Sequence, residues 1–351
     1  MIVIHIGASK AGSSSIQAFL SANEESLRQF SVEYSSIGRA ERNSHQNIAH
    51  ELKNARRGKF ESGGGTLEEV VARWAKGNSR TLVISSERFE QCNPHEIRQL
   101  RRAFAGLGEK FRILYVIRDL LELLPSIFDQ QCRHGFTSQR FDEFFEKIMR
   151  HPRTDFFATA ERWADVFGWH AMHVRALDPR NLVNGSLLEE IVATLQIEEG
   201  DLRLMRTKSR NVSTGWKSLV AVQALVENRH GLPDAHPLLA IPRPDDQDTP
   251  LGRLALRAAA RHGWNKEKGR YFTREQAIQC WEKFHATVEK LNMQTREQIP
   301  LPLSLDERKF VEREFEPDVR HIPTDELRTF YDEMWRVSKK SKHTSGRLSN
   351  R

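Results

Sequence analysis

The most constraining stretch of this chain is its start. Ile2–Gly7 (IVIHIG) is a β-branched run, apolar except for His5. It leads into the loop ASKAGSSS, after which Ile16, Phe19, Leu20 and Leu27 recur at helical spacing. A buried strand, a glycine- and serine-rich loop and a helix, in that order, open an α/β fold. Two more short apolar runs, Thr81–Ser85 and Arg112–Ile117, follow helical patterns at Leu67–Ala75 and Ile97–Phe104. Continuous apolar strands alternating with helices predict a parallel sheet with helices on both faces.

From Phe141 onward helical periodicity dominates, interrupted by a fourth strand at His173–Ala176 and then a helix at Ser186–Leu195. The chain therefore reads as one α/β domain over residues 1–337. Its P-loop-like core covers about 1–200, and its largely helical C-terminal half adds further helices over about 140–337. ESGGG at Glu61–Gly65 and PRPDDQDTP at Pro242–Pro250 read as exposed loops.

Of the net charge of +7, five positive charges (Lys339, Lys340, Lys342, Arg347 and Arg351) fall in residues 338–351, which carry no acid, so the rest of the chain holds +2. That end reads as a disordered basic tail suited to peripheral contact with an anionic surface. The near-balanced body argues against a nucleic-acid partner. No apolar run approaches the roughly 20 residues of a membrane span, and MIVIHIGAS is too short for a signal peptide, so a cytoplasmic location is expected. Cys92, Cys132 and Cys280 have no CxxC spacing, which points to reduced structural thiols and no zinc site.

Gly7–Ser15 carries the strongest chemical signal. A helix start offers unpaired N–H groups and partial positive charge, a glycine lets the backbone curl round a phosphate, and Lys10 adds a full charge. Ser13, Ser14 and Ser15 add hydroxyls. A serine run read alone is an N-cap; the preceding strand, two glycines and the lysine turn the reading toward anion binding. Gly7 and Gly12 have the spacing of the nucleotide P-loop GxxxxGK[ST], but Ser13 stands where its lysine belongs and Lys10 lies two residues before Gly12. Further on, Arg118 ends the run RILYVI, where an arginine points into the crevice of an open α/β sheet and suits a dianionic phosphate. Ser126 follows eight residues later, after Pro125. A proline favours the first position of a helix, which would place Ser126 in the first turn with its N–H free. The plainer readings are a surface ion pair of Arg118 with Asp119 or Glu122, and a simple helix start at Ser126.

With its displaced lysine, the loop resembles the 5'-phosphosulfate loop of sulfotransferases that use 3'-phosphoadenosine-5'-phosphosulfate (PAPS). The Arg118–Ser126 pair is similar to that family's 3'-phosphate element. The resemblance covers residues 2–135 and is to the bacterial, carbohydrate-sulfotransferase-like members; Leu177–Ile197 is similar to the strand, loop and helix that close their fold. It implies PAPS as donor, held by Lys10, Ala11, Gly12, Ser13, Ser14, Ser15, Arg118 and Ser126. A late basic loop containing Lys208 or Arg210 would add a nucleotide contact. It also implies a carbohydrate or glycolipid acceptor and no metal. Ala11 departs from the family, which usually has threonine or serine there.

Sulfuryl transfer needs a base for the acceptor and positive charge near the leaving oxygen. Lys10 supplies the charge. Glu87, just past the strand Thr81–Ser85, is the expected base, against a plainer pairing with Arg88. His45, in a polar stretch with Asn43, Gln46 and His50, is its rival as a base near neutral pH, whereas His5, inside a strand, reads as a core histidine. Trp163, Trp169, Trp216, Trp264 and Trp281 read as core residues or sugar-stacking rings. Two other functions compete: a P-loop kinase of a small molecule or sugar, with Glu87 or Asp119 handling magnesium, and a non-catalytic nucleotide- or polyanion-binding module.

Overall fold

A computed structural model describes all residues except 40–42, 55–63, 108–109, 138, 198–214, 228–231, 233–237, 239–249 and 346–351. In chain order the elements are β1 (Ile2–Gly7), α1 (Ser13–Ala22), α2 (Glu24–Gln29), β2 (Val32–Tyr34), α3 (Gln46–Asn54), α4 (Leu67–Lys76), β3 (Thr81–Ser85) and α5 (Pro94–Ala103). There follow β4 (Phe111–Ile117), α6 (Leu120–Arg133), α7 (Phe141–Met149), α8 (Phe156–Phe167), β5 (Met172–Ala176) and α9 (Leu187–Thr194). The last four helices are α10 (Trp216–Val226), α11 (Pro250–His262), α12 (Arg274–Gln294) and α13 (Thr324–Ser345).

Among the described residues five strands form one parallel sheet in the order β2-β3-β1-β4-β5, flanked by helices. β1 is central: Ile4 lies opposite Ile84 on one side and Ile113 on the other, and every residue of the strand is buried. This is why IVIHIG shows no alternation of apolar and polar residues. The sheet is the α/β architecture expected, with β4 and β5 each starting one residue earlier than the pattern predicted. β2 was not predicted, since a three-residue strand is too short to show a period.

Helix starts follow the capping rules. Thr66 and Glu69 form a capping box at α4, as do Asn93 and Glu96 at α5, where Pro94 takes a first-turn position.

The single domain expected from the sequence divides into two compact units. One comprises Met1–Leu123, Arg150–Arg210 and Gln279–Ser304 and contains the whole sheet; the other comprises Leu124–Met149, Asn211–Ile278 and Leu305–Arg351 and is helical. Periodicity marks helices but not the core each one joins; α8 and α9, which lie where the two expected ranges overlap, belong to the sheet unit. The helical unit has its own core, in which Leu254, Ala255, Ala258, Phe330, Tyr331 and Met334 are buried together. Trp264 stacks on Phe330 at 4.3 Å, and the Tyr331 hydroxyl donates to the Ala221 carbonyl at 2.7 Å.

The tail expected to begin at residue 338 is also corrected, because α13 runs to Ser345. Between Thr324 and Gly346 there is neither glycine nor proline to stop the helix. The Pro242–Pro250 loop lies outside the described residues except for Pro250, which opens α11. The glycine-rich loop read at Glu61–Gly65 is described only at Gly64 and Gly65. All three cysteines are free and buried. Among the described residues, no helix is long and apolar enough to cross a membrane.

In the sheet unit, β5 is clasped by carboxylates. His173 Nε2 lies 2.8 Å from Glu190 Oε1, and its Nδ1 lies 2.9 Å from Glu297 Oε2. Arg175 pairs with the same two glutamates. The hydrogen bond from His173, opposed by partial burial and helped by the His173 and Arg175 charges, holds the Glu297 carboxyl down at about 2 against an ordinary 4.5. A carboxyl whose pKa is depressed by folding stabilises the fold above its unfolded value, and that contribution fades as pH falls toward the folded value. Wild-type protein is therefore expected to lose stability between about pH 4.5 and 2, and Glu297→Gln to flatten that limb of a denaturation-midpoint profile.

Candidate functional site

β1 and β4 are neighbours whose onward connections leave in opposite directions, toward β2 and toward β5. The carboxyl ends of such a pair form the switch-point crevice where open α/β sheets bind ligands. The loop Gly7–Ser15 follows β1, and Arg118 follows β4.

The loop turns on three residues of positive φ: Gly7 at 123°, Lys10 at 66° and Gly12 at 92°. Ala8 ties it down, donating its N–H to Val116 and accepting from Ala11 N at 3.2 Å and from the Ser13 hydroxyl at 3.1 Å. Gly12, in left-handed conformation, is the N-cap of α1; no side chain caps this end and no acid stands in its first turn. The serine run is thus not an N-cap. Ser13 is buried and bonded within the loop, while Ser14 is exposed and Ser15 half-buried. An uncapped helix start with its dipole unanswered by acid favours an anion.

Gly12 has a steric role too. A Cβ there would lie 2.4 Å from Leu187 Cδ2, at the start of α9. Gly12→Ala is expected to destabilise by about 2–3 kcal/mol in chemical denaturation, from backbone strain and overlap together. Adding Leu187→Ala removes the overlap alone, so the two changes should be non-additive; strict additivity would show that Leu187 does not press on this position.

The structure brings Arg118 to the loop, its Nη1 donating to the Lys10 carbonyl at 3.0 Å. The plainer reading of Arg118 is present as well, in its 3.2 Å pair with Glu122 across one helical turn. Such a partly exposed pair is worth little. Ser126 departs from expectation. Asp119 caps α6, its carboxylate accepting from Leu121 N at 2.9 Å and its carbonyl from Leu123 N at 2.8 Å. The helix therefore starts at Leu120, Pro125 lies inside it, and Ser126 sits in the second turn. Its N–H belongs to the helix, leaving only the hydroxyl for a ligand. Lys208 and Arg210 lie outside the described residues.

Two carboxylates follow β3. Glu87 is half-buried and opens a short 3-10 turn, Glu87–Gln91, capped by the Ser86 side chain. Its carbonyl would lie 3.5 Å from a Cβ on Gly7, which puts the turn against the loop. Glu90, which the sequence reading passed over, is buried and accepts from Ser9 N at 3.0 Å and the Ser9 hydroxyl at 2.7 Å. Burial raises the Glu90 pKa, the Ser9 hydrogen bonds and Arg153 oppose the rise, and the Glu87 charge adds to it. Glu90 thus fixes the loop with both oxygens, while Glu87 is the carboxylate that remains half open. No period in ERFEQ reveals which of the two glutamates turns inward.

His45 corrects the sequence reading. Its ring is fully buried, Nδ1 accepting from Ser85 N at 3.1 Å and Nε2 facing the Ser35 carbonyl at 3.0 Å. That arrangement requires the neutral ring with its proton on Nε2, and burial, with the Arg39 charge, lowers its pKa to about 3. With its lone pair already used, His45 joins β2 to β3 and is no base for an acceptor. His5 is a core histidine, with Nδ1 2.7 Å from the Ser85 hydroxyl, and burial lowers its pKa to about 4.

The fold and the site together define an α/β protein in which a glycine loop, an uncapped helix start and a strand-end arginine meet at the switch point of a parallel sheet. Comparison with protein-family models, curated proteins and solved structures gives no match for this chain.

Proposed function

We propose that this protein is a PAPS-dependent sulfotransferase that moves a sulfuryl group to a hydroxyl or amine of a carbohydrate or glycolipid. The observation that carries the reading is the hydrogen bond from Arg118 to the Lys10 carbonyl, which joins the two phosphate motifs at one crevice. A nucleotide bearing phosphate at both ends asks for two such elements. In this reading the loop and the start of α1 hold the 5'-phosphosulfate, and Arg118 takes the 3'-phosphate in exchange for Glu122.

The acceptor oxygen or nitrogen attacks sulfur as the bond from sulfur to the bridging oxygen breaks, and the electron pair leaves on the 5'-phosphate. Lys10 stabilises that growing charge, and Glu87 takes the acceptor proton. Glu90 touches neither reactant; it positions the loop through Ser9.

The test is transfer itself. Purified protein is incubated with PAPS and a panel of neutral oligosaccharides and glycolipids, with mass spectrometry following the gain of a sulfuryl group on the acceptor and the release of 3'-phosphoadenosine-5'-phosphate (PAP). Transfer that needs no magnesium supports the reading. Phosphoryl transfer from ATP with magnesium, without any sulfation, would replace it with the kinase.

A further inference from the structure

The helical unit contains a cavity of about 360 Å³, within the range of small-ligand pockets. One wall is aromatic: Phe128, Phe141 and Tyr271 pack on one another with ring centroids 5.2–5.7 Å apart. Trp216 and Phe315 form a second aromatic surface, ring to ring at 5.4 Å, and Phe315 is 47% exposed at the rim. A smaller cavity of about 180 Å³ shares Trp216, Phe315 and Pro317 with the first.

The polar lining decides what fits. Arg140 pairs with Glu316, Arg320 with Asp318 at 2.9 Å, and Arg313 with Asp142 at 3.0 Å. Beside the smaller cavity, Arg270 pairs with Glu314. Each of these arginines is matched, so an anionic ligand gains little from them; Lys268 is the other cation in the lining of the smaller cavity, and the salt dependence of binding reads its share. An apolar ligand would cover polar groups of the lining and give them no hydrogen bond in return, which is costly. Paired guanidinium and carboxylate groups instead present donors and acceptors side by side, as neighbouring hydroxyls require, while aromatic faces suit the C–H face of a sugar ring. Glu316, which lines the cavity, carries a buried Oε1 without a hydrogen-bond partner among the described residues, an acceptor that a ligand hydroxyl meets once the side chain turns.

We propose that the helical unit binds an uncharged saccharide, one ring in the larger cavity and the chain continuing past Trp216 and Phe315 into the smaller. The site stands apart from the sulfuryl-transfer reading, because sugar binding here requires no nucleotide.

Full-length protein, without donor, is titrated with di- and tetrasaccharides of glucose, galactose and N-acetylglucosamine and with a heparin tetrasaccharide, using tryptophan fluorescence and calorimetry. At least one neutral saccharide is expected to bind with an affinity indifferent to salt. Phe315→Ala should weaken it about tenfold, the loss of one ring-stacking contact, with no change in denaturation midpoint. Glu316→Gln, which keeps the shape but breaks the pairing, should weaken it as well. The proposal is overturned if no neutral saccharide binds, if only heparin binds and salt abolishes it, or if both variants bind as wild type does. PAP binding, measured separately, tells failure of this site from failure of the donor site.

Discussion

In the proposed reaction, Glu87→Gln is expected to slow turnover by about 10²- to 10⁴-fold, the usual worth of a general base, while leaving PAP affinity unchanged. The expectation rests on the division of labour after β3. Glu90 gives both oxygens to Ser9, whereas Glu87 begins the turn half-buried beside Gly7. Glutamine keeps the size and hydrogen-bonding reach of Glu87 but cannot take a proton, so a loss confined to kcat identifies a proton acceptor. Glu90→Gln is the control, since it still offers Ser9 an acceptor and should keep turnover within about tenfold of wild type. If Glu90→Gln is the variant that stops turnover and Glu87→Gln does not, the roles are reversed.

Arg118→Ala is expected to weaken PAP binding by about 30- to 150-fold, the value of hydrogen bonds to a charged phosphate, while AMP, which lacks the 3'-phosphate, loses less than about threefold. The comparison is needed because Arg118 also holds the Lys10 carbonyl at 3.0 Å and so braces the loop. Equal losses for both nucleotides would mean that the arginine only braces. A selective loss for PAP means that it reads the second phosphate.

The central strands were the most legible part of the fold, for a physical reason. A strand buried on both faces, such as β1 or β3, is an apolar run without alternation, broken only by His5 in β1 and by Thr81 and Ser85 at the ends of β3, and in Ile2–Gly7 and Thr81–Ser85 the pattern and the observed bounds coincide. The edge strand β2 left no such mark, and the assignment of helices to two cores depends on contacts distant in sequence. The tail was misread because a basic composition says little about backbone, and the first glycine that could end α13 is Gly346.

In the candidate site, Gly7, Lys10, Gly12 and Arg118 could be read because their roles are local: a glycine turn, a helix start and a strand end. His45 and Glu90 could not. Polar neighbours made His45 resemble a pocket residue, yet its hydrogen bonds to Ser35 and Ser85 lie within the packed core. Glu90 was hidden because only the short turn after β3 decides that it, and not Glu87, meets Ser9. Ser126 was misplaced because Pro125 suggested a helix start, while the Asp119 cap had already set that start at Leu120. Of the tryptophans, Trp163 and Trp264 are core, and Trp169 stacks on Phe157 at 5.9 Å. Trp281 packs against His285 at 4.8 Å, and Trp216 lines a cavity.

The most direct test of the donor site is calorimetric titration with PAP in magnesium-free buffer, on wild-type protein and on Lys10→Ala. The account predicts one tight site per chain in the wild type and its loss in the variant, with ATP and magnesium a poor substitute. No heat with PAP, together with tight binding of magnesium-ATP, would contradict it.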